Sequence, residues 1–273
     1  MKDHLLQTVA SLDPDKRIGP AREYVQMYIL RLLHSAEAYR HMAFLGGTAL
    51  RVLYDLPRFS DGLDFSVVPA RPSTKAEAKP LDIEWLCKRL ADDLHKAGYD
   101  VQVKQRVGRI VANAFFRFQG LPRDLGWSRD PRLGLIVKVE IDRKPPEGAG
   151  IETTLVQRPF PIALRHYDRP SLFAGKLHAI LCRPYTKGRD WFDLAWYLTA
   201  QRGLQPNLGL LANALKQTRT SIDASKWREA VRARLRSLKW AEVTSDLRGF
   251  LQRPDDLDQI RPELIEKALL SSP

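Results

Sequence analysis

Cysteine is almost absent from this 273-residue chain: Cys87 and Cys182 are the whole supply. Two thiols cannot build a disulfide framework or a four-cysteine zinc site. Long apolar runs are missing too. No stretch approaches the ~18 consecutive apolar residues that a membrane span needs. The start, Met1-Lys2-Asp3-His4, lacks the apolar core of a signal peptide. Internal repeats, low-complexity tracts and a basic tail are also lacking. These absences set the expectation of a soluble cytoplasmic protein in a reducing compartment, with no membrane partner. What is present is ordinary globular material, 44% hydrophobic and 28% charged, in a chain long enough to bury a core without staples.

Charge is the one compositional bias. Lys+Arg is 44 against 32 Asp+Glu, a net charge of +12. Clustered cations displace counterions from a phosphate backbone, so a polyanionic partner is one reading. The charge is spread along the chain, however, and a merely basic surface is the other.

Periodicity divides the chain. Pro20–Tyr39 carries Val25, Tyr28, Ile29, Leu32 and Leu33 at helical spacing. Met42–Leu45 is a short strand-type run, and Leu63–Val68 alternates. Residues 69–80 form a proline-bearing loop. Leu81–Ala97 is an amphipathic helix stopped by Gly98. Strand-like runs follow at Tyr99–Val107, Arg109–Phe118, Leu133–Ile141 and Thr153–Gln157. Beyond the prolines at 159 and 161 the chain is helical, at 170–182, 190–201, 208–217, 225–239, 242–252 and 262–270. The fold class is therefore α+β: a lobe with a mixed sheet over 1–160, then an all-helical lobe over 161–273. A cleft between two such lobes is the expected position for a site.

Several residue groups could carry chemistry. Phe44-Leu45-Gly46-Gly47-Thr48-Ala49-Leu50 reads as strand, tight turn and helix. Glycines let a ligand approach the backbone, and a helix start offers free N–H groups to a phosphate. The same pair also serves as a plain structural turn. On the next strand Asp64 and Ser66 share one face, opposite Leu63, Phe65 and Val67. A carboxylate there suits Mg²⁺, which takes one or two carboxylates plus substrate phosphates; a solvated strand face explains it as well. In Leu135–Arg143, Lys138, Glu140 and Asp142 share the polar face. Lys176 lies off the apolar face of its helix, as a triphosphate-binding point charge or a surface lysine. Read that way, Lys176→Ala lowers nucleotide affinity and spares thermal stability. Asp190 and Asp193 share a helix face at i, i+3, and Asp190 could equally be the N-cap or first-turn acid of that helix. Arg228, Arg232 and Arg236 form a basic stripe opposite Trp227, Val231 and Leu235, either solvated or binding an RNA backbone.

Taken together, Gly46-Gly47-Thr48-Ala49-Leu50, then Arg58-Phe59-Ser60, then Leu63-Asp64-Phe65 resembles the AbiEii nucleotidyltransferase family, which includes the MenT-type toxins. Lys176-Leu177-His178-Ala179 followed by Lys187-Gly188-Arg189-Asp190-Trp191-Phe192-Asp193-Leu194 is similar to that family's second-half motifs. The resemblance spans residues 44–198. It implies a minimal DNA polymerase β-like nucleotidyltransferase fold. It also implies phosphate contacts at Gly46, Gly47, Thr48, Ser60 and Lys176, Mg²⁺ ligands at Asp64 and Glu140, and active-site roles for Lys176 and Asp190. Asp142 is the alternative to Glu140. The family pattern places a metal-binding aspartate at position 62, where this chain has Gly62. Asp61 belongs to the opposite strand face.

The function this implies is that of a toxin from a bacterial toxin–antitoxin or abortive-infection system. It would move a nucleoside monophosphate from a nucleoside triphosphate to RNA, with the tRNA 3′ end as acceptor and an antitoxin as partner. Gly62 marks an inactivated or weakened form, by natural loss or by an inactivating change. The alternatives are a catalytically inactive nucleotide- or RNA-binding protein on the same fold, and a basic nucleic-acid-binding protein that uses no nucleotide.

Overall fold

The structure is a computed structural model in which residues 1–68, 81–157, 159–201 and 203–271 are described. The loop expected at 69–80 lies outside them. Two units divide the chain: residues 1–49, 59–144 and 153–166 form the first, and residues 50–58, 145–152 and 167–273 the second. Sequence reading places one boundary at 160/161. The observed division there falls at 166/167, and two short earlier segments join the helical unit.

In chain order the elements through the sheet are α1 (Lys2–Val9), α2 (Ile18–Ser35), β1 (Met42–Leu45), α3 (Gly46–Tyr54), β2 (Gly62–Val67), α4 (Ile83–Lys96), β3 (Val101–Val107), β4 (Val111–Gln119), α5 (Leu121–Asp124), β5 (Gly134–Asp142), β6 (Ile151–Val156) and β7 (Ile162–Tyr167). The seven strands form one mixed sheet in the order β3-β4-β5-β2-β1-β7-β6. Alternation decides which face is covered. Ala112, Ala114, Phe116 and Phe118 on β4 and Leu135, Val137, Val139 and Ile141 on β5 are all buried. They lie on the side where α2 and α4 pack. From α4, Ile83, Leu86, Cys87, Leu90 and Leu94 complete that core. Asp82 caps α4 by accepting from the Trp85 N–H, and Gly98, at φ +92°, turns the chain just beyond it. The opposite face, bearing Phe115, Ile136, Lys138 and Glu140, is partly open to water.

One strand escapes the sequence reading. β7 lies in the segment taken as the boundary, yet it pairs parallel with β1 beside the middle of the sheet, Phe44 opposite His166. Its flanking prolines resemble a linker, while Ile162, Leu164 and His166 are buried on alternate positions.

The second unit holds α6 (Arg169–Cys182), α7 (Gly188–Ala200), α8 (Leu208–Gln217), α9 (Trp227–Arg236), α10 (Trp240–Arg248) and α11 (Pro262–Ser271). α6 packs on α7, α8 and α9, and α7 on α10 and α11. Phe173 stacks on Tyr197 with ring centroids 4.2 Å apart and meets Trp227 edge-on at 5.5 Å. All three rings are nearly waterless, so this aromatic stack anchors α6, α7 and α9 together. Gly188 permits close helix approach, because a Cβ there would strike the Val243 carbonyl of α10.

Candidate active site

Each unit contains one group of the expected site residues. In the first, β1 ends at Leu45 and α3 begins at Gly46, at φ +83°. Glycine is required there on two counts. The left-handed backbone disfavours a side chain, and a Cβ would collide with the Asp64 carboxylate, whose own Cβ would lie 3.0 Å away. Leu45 pairs with Asp64 across β1 and β2. The carboxylate therefore lies against the start of α3, where unpaired N–H groups and the helix dipole favour negative charge.

Asp64 pairs in parallel register with Glu140, Gly62 with Lys138 and Ser66 with Asp142. Residues in register on neighbouring strands share a face, so Asp64 and Glu140 stand side by side. Lys138 donates to Glu140, both of them about two-fifths exposed. Asp142 is half-buried; burial pushes its carboxyl up, the neighbouring Glu140 charge adds to this, and the Lys144 N–H opposes it. Thr48 is buried and its hydroxyl donates to the Gly62 carbonyl. That bond ties α3 to β2, so a phosphate contact by Thr48 would fall to its backbone N–H. The carbonyl of buried Ser60 accepts from Gln26 Nε2 at 3.0 Å.

Asp64 and Glu140 form a two-carboxylate donor set of the kind that binds Mg²⁺ together with substrate phosphates. The Lys138 ammonium on Glu140 shows that this face already draws a cation. Among the described residues no third His, Cys, Asp or Glu joins them. Gly62 is where the family pattern would supply one.

The second group is a buried chain of charges. Arg58 grips Asp193 through two bonds of 2.6 Å, Nε to Oδ1 and Nη2 to Oδ2. Lys176 Nζ lies 2.7 Å from Asp193 Oδ2 and 3.2 Å from Asp190 Oδ1. Arg183 takes the other Asp190 oxygen. Asp193 is wholly buried and Arg58 nearly so. Burial pulls the Lys176 ammonium down, but Asp193 and Asp190 outweigh it and the net direction is upward. Burial raises Asp190, and Lys176 with Arg183 override that, leaving its carboxyl below the ordinary 3.8. The i, i+3 pairing of Asp190 and Asp193 is confirmed. Of the two helix-start roles open to Asp190, the N-cap position falls to Lys187, and Asp190 is the first-turn acid of α7.

Lys176 is thus no surface lysine, and the expectation that Lys176→Ala spares stability fails: two carboxylates would lose a buried cation. Sequence reasoning names Arg58 only within the Arg58-Phe59-Ser60 motif, without a role, and gives Arg183 none. A signal existed. Trp191, Phe192, Leu194 and Ala195 crowd around Asp193, and an acid in such a setting needs a buried cation.

The basic stripe of α9 is partly spent on other contacts. Arg232 and Arg236 both donate to Glu266 of α11, at 3.2 and 3.1 Å. Arg228 lies over the Trp227 ring and donates to Gln205.

The mixed seven-stranded sheet with its helices is that of an α+β nucleotidyltransferase fold. Residues 30–264 match the family described as nucleotidyl transferase AbiEii toxin, type IV toxin–antitoxin system, and the chain belongs to that family. No curated protein matches it. Among solved structures it is similar to JHP933 from Helicobacter pylori, at 21% identity and TM-score 0.48, covering 91% of this chain and 93% of that one. It is also similar to a candidate nucleotidyltransferase from H. pylori, at 20% identity and TM-score 0.47, covering 89% and 94%. The family match, not these two likenesses, carries the assignment. No helix among the described residues is long and apolar enough to cross a membrane.

Proposed function

We propose that this protein transfers a nucleoside monophosphate from a nucleoside triphosphate to the 3′-hydroxyl of an RNA, with tRNA as the acceptor, in a toxin–antitoxin pair with a cognate antitoxin as its genetic partner. The observation that carries this is the register of Asp64 with Glu140 on one sheet face, beside the Gly46 turn. The backbone N–H groups of Gly46, Gly47 and Thr48 bind phosphate oxygens. Asp64 and Glu140 hold Mg²⁺, which when bound stabilises charge developing on the phosphoryl oxygens. The RNA 3′-oxygen forms a bond to the α-phosphorus, and the bond from that phosphorus to the bridging oxygen breaks. Pyrophosphate leaves with the electron pair, and the hydroxyl proton passes to the exposed side of the carboxylate pair.

A second reading rests on Gly62 and Lys138. With one carboxylate missing and an ammonium on Glu140, the same site binds nucleotide with little turnover. One experiment separates the two. The protein is incubated with total tRNA, Mg²⁺ and each α-labelled nucleoside triphosphate in turn, and label in RNA is counted. Label appearing from one nucleotide and abolished by Asp64→Asn supports transfer. Magnesium-dependent nucleotide binding without label supports the second reading. Absence of both refutes the nucleotidyltransferase assignment for this chain.

A further inference from the structure

The open face of the sheet extends beyond the carboxylate pair. Register places Lys104, Phe115, Lys138 and Gly62 in one row across β3, β4, β5 and β2, and Arg106, Asn113, Glu140 and Asp64 in the next. Phe115 is 41% exposed, a large ring kept in water on a strand whose alternate residues form core. The Lys138 ammonium lies 5.9 Å from its ring centre. Lys104 and Arg106 are exposed on the edge strand, and Arg109 is exposed in the β3–β4 turn. Between Val101 and Gln119 the chain has four basic residues, Lys104, Arg106, Arg109 and Arg117, and no acid. The only carboxylates on these rows are Glu140, one strand from Phe115 and already held by Lys138, and Asp64, two strands or about 10 Å away.

We infer that this face is the landing surface for a single-stranded polynucleotide, with a base stacked on Phe115 and phosphates on Lys104 and Arg106, leading to the Asp64–Glu140 pair. The inference rests on the nucleotidyl-transfer reading and names where the acceptor of that reaction lies. Charge complementarity sets the occupant: a π-face flanked by cations suits a strand with unstacked bases and a phosphate backbone. A duplex hides its base faces and cannot use the ring. The α9 stripe is the weaker surface, because Glu266 already holds two of its arginines.

The test uses the full chain and a 5′-fluorescein uridine decamer, with a blunt RNA duplex of equal length alongside, read by anisotropy at several salt concentrations. Phe115→Ala should weaken decamer binding about tenfold. Lys104→Glu combined with Arg106→Glu should weaken it further and flatten the salt slope by roughly 1.4, two phosphate contacts' worth. Duplex binding should change little with Phe115→Ala. All three side chains are exposed, so the variants should melt like the parent, and nucleoside triphosphate binding by calorimetry should be retained. Equal decamer affinity in parent and both variants overturns the inference. So does a parent that fails to bind the decamer, or a loss confined to an Arg228, Arg232 and Arg236 triple variant. If the decamer depends on Phe115 while no nucleotide is ever transferred, the docking surface stands and the catalytic reading falls. If transfer proceeds normally in both variants, the reverse holds.

Discussion

Glu140 in the first unit and Asp193 in the second each accept a lysine ammonium, and they differ in their access to water. The Lys138–Glu140 pair has side chains 40% and 36% exposed, so solvent can replace either partner. Asp193 is completely buried between Arg58 and Lys176, and nothing can replace either without leaving a charge in the interior. A pair open to water contributes about 0–1 kcal/mol and can exchange its cation for another. Removing one member of a buried pair costs about 3–5 kcal/mol. The first arrangement suits a site that must bind and release. The second suits a fixed scaffold, with α6, α7 and the Arg58 segment tied by charge.

The largest effect should come from Asp193→Ala. It strands Arg58 and takes one of two carboxylates from Lys176, so a loss of about 3–5 kcal/mol is expected. Thermal unfolding should fall by on the order of 10 °C. A drop of only one or two degrees would mean that the cluster is not the buried tie described here. Lys176→Met comes next, at about 2–3 kcal/mol, because Asp193 keeps Arg58 and Asp190 keeps Arg183. Calorimetric titration of the same variant with a nucleoside triphosphate checks the phosphate role that the family resemblance implies for Lys176.

Acid should reach the buried cluster before alkali does. Asp190 is held below its ordinary value, so its stabilisation is full above about pH 4 and is lost as pH falls through the lower folded value. Lys176 is raised, so its share is full below about pH 10 and is lost only as pH rises through its folded value. Melting curves of the parent and Asp190→Asn should differ near neutrality and converge progressively below about pH 4. A constant gap down to pH 2 would contradict the charge assignment.

How far these regions were legible beforehand follows the same division. Strand alternation is local, so β2, β4 and β5 could be read to within one or two residues, and so could the polar face of each strand; that Asp64 and Glu140 lie in register on neighbouring strands was implied only by the family resemblance. The Gly46 turn was legible because a backbone requirement selects glycine directly. The buried cluster was not, because Arg58 and Asp193 are 135 residues apart and their pairing is set by tertiary packing. Nor was β7, whose prolines mimic a linker. The α9 stripe was read from helical spacing alone, which cannot show that Glu266 lies across it.

Gly62→Asp probes the open site. A Cβ at position 62 would lie 3.0 Å from the Lys138 carbonyl oxygen and 3.5 Å from the Lys138 Cβ. β5 must give by a few tenths of an ångström, at a cost of about 1 kcal/mol. In return a third carboxylate joins the face of Asp64 and Glu140. A metal held more firmly should speed transfer by roughly a hundredfold, with harm to the expressing host. If the variant melts slightly lower yet transfers no more label than the parent, Gly62 is not the limiting position.

The smallest effect on stability should come from Lys138→Met, and it tests the comparison most directly. Both lysines touch carboxylates, and a tally of ion pairs would rank them alike. Exposure says otherwise, because water solvates Glu140 once the ammonium is gone, while Asp190 and Asp193 cannot be reached. Lys138→Met should therefore change thermal unfolding by no more than a degree or two, against several degrees for Lys176→Met. It should also leave Glu140 open to Mg²⁺ and make nucleotide binding respond at lower magnesium. If the two methionine variants melt alike, the distinction between an exchangeable and a fixed charge cluster is wrong. If only the magnesium response is unchanged, Lys138 and the metal do not compete for Glu140.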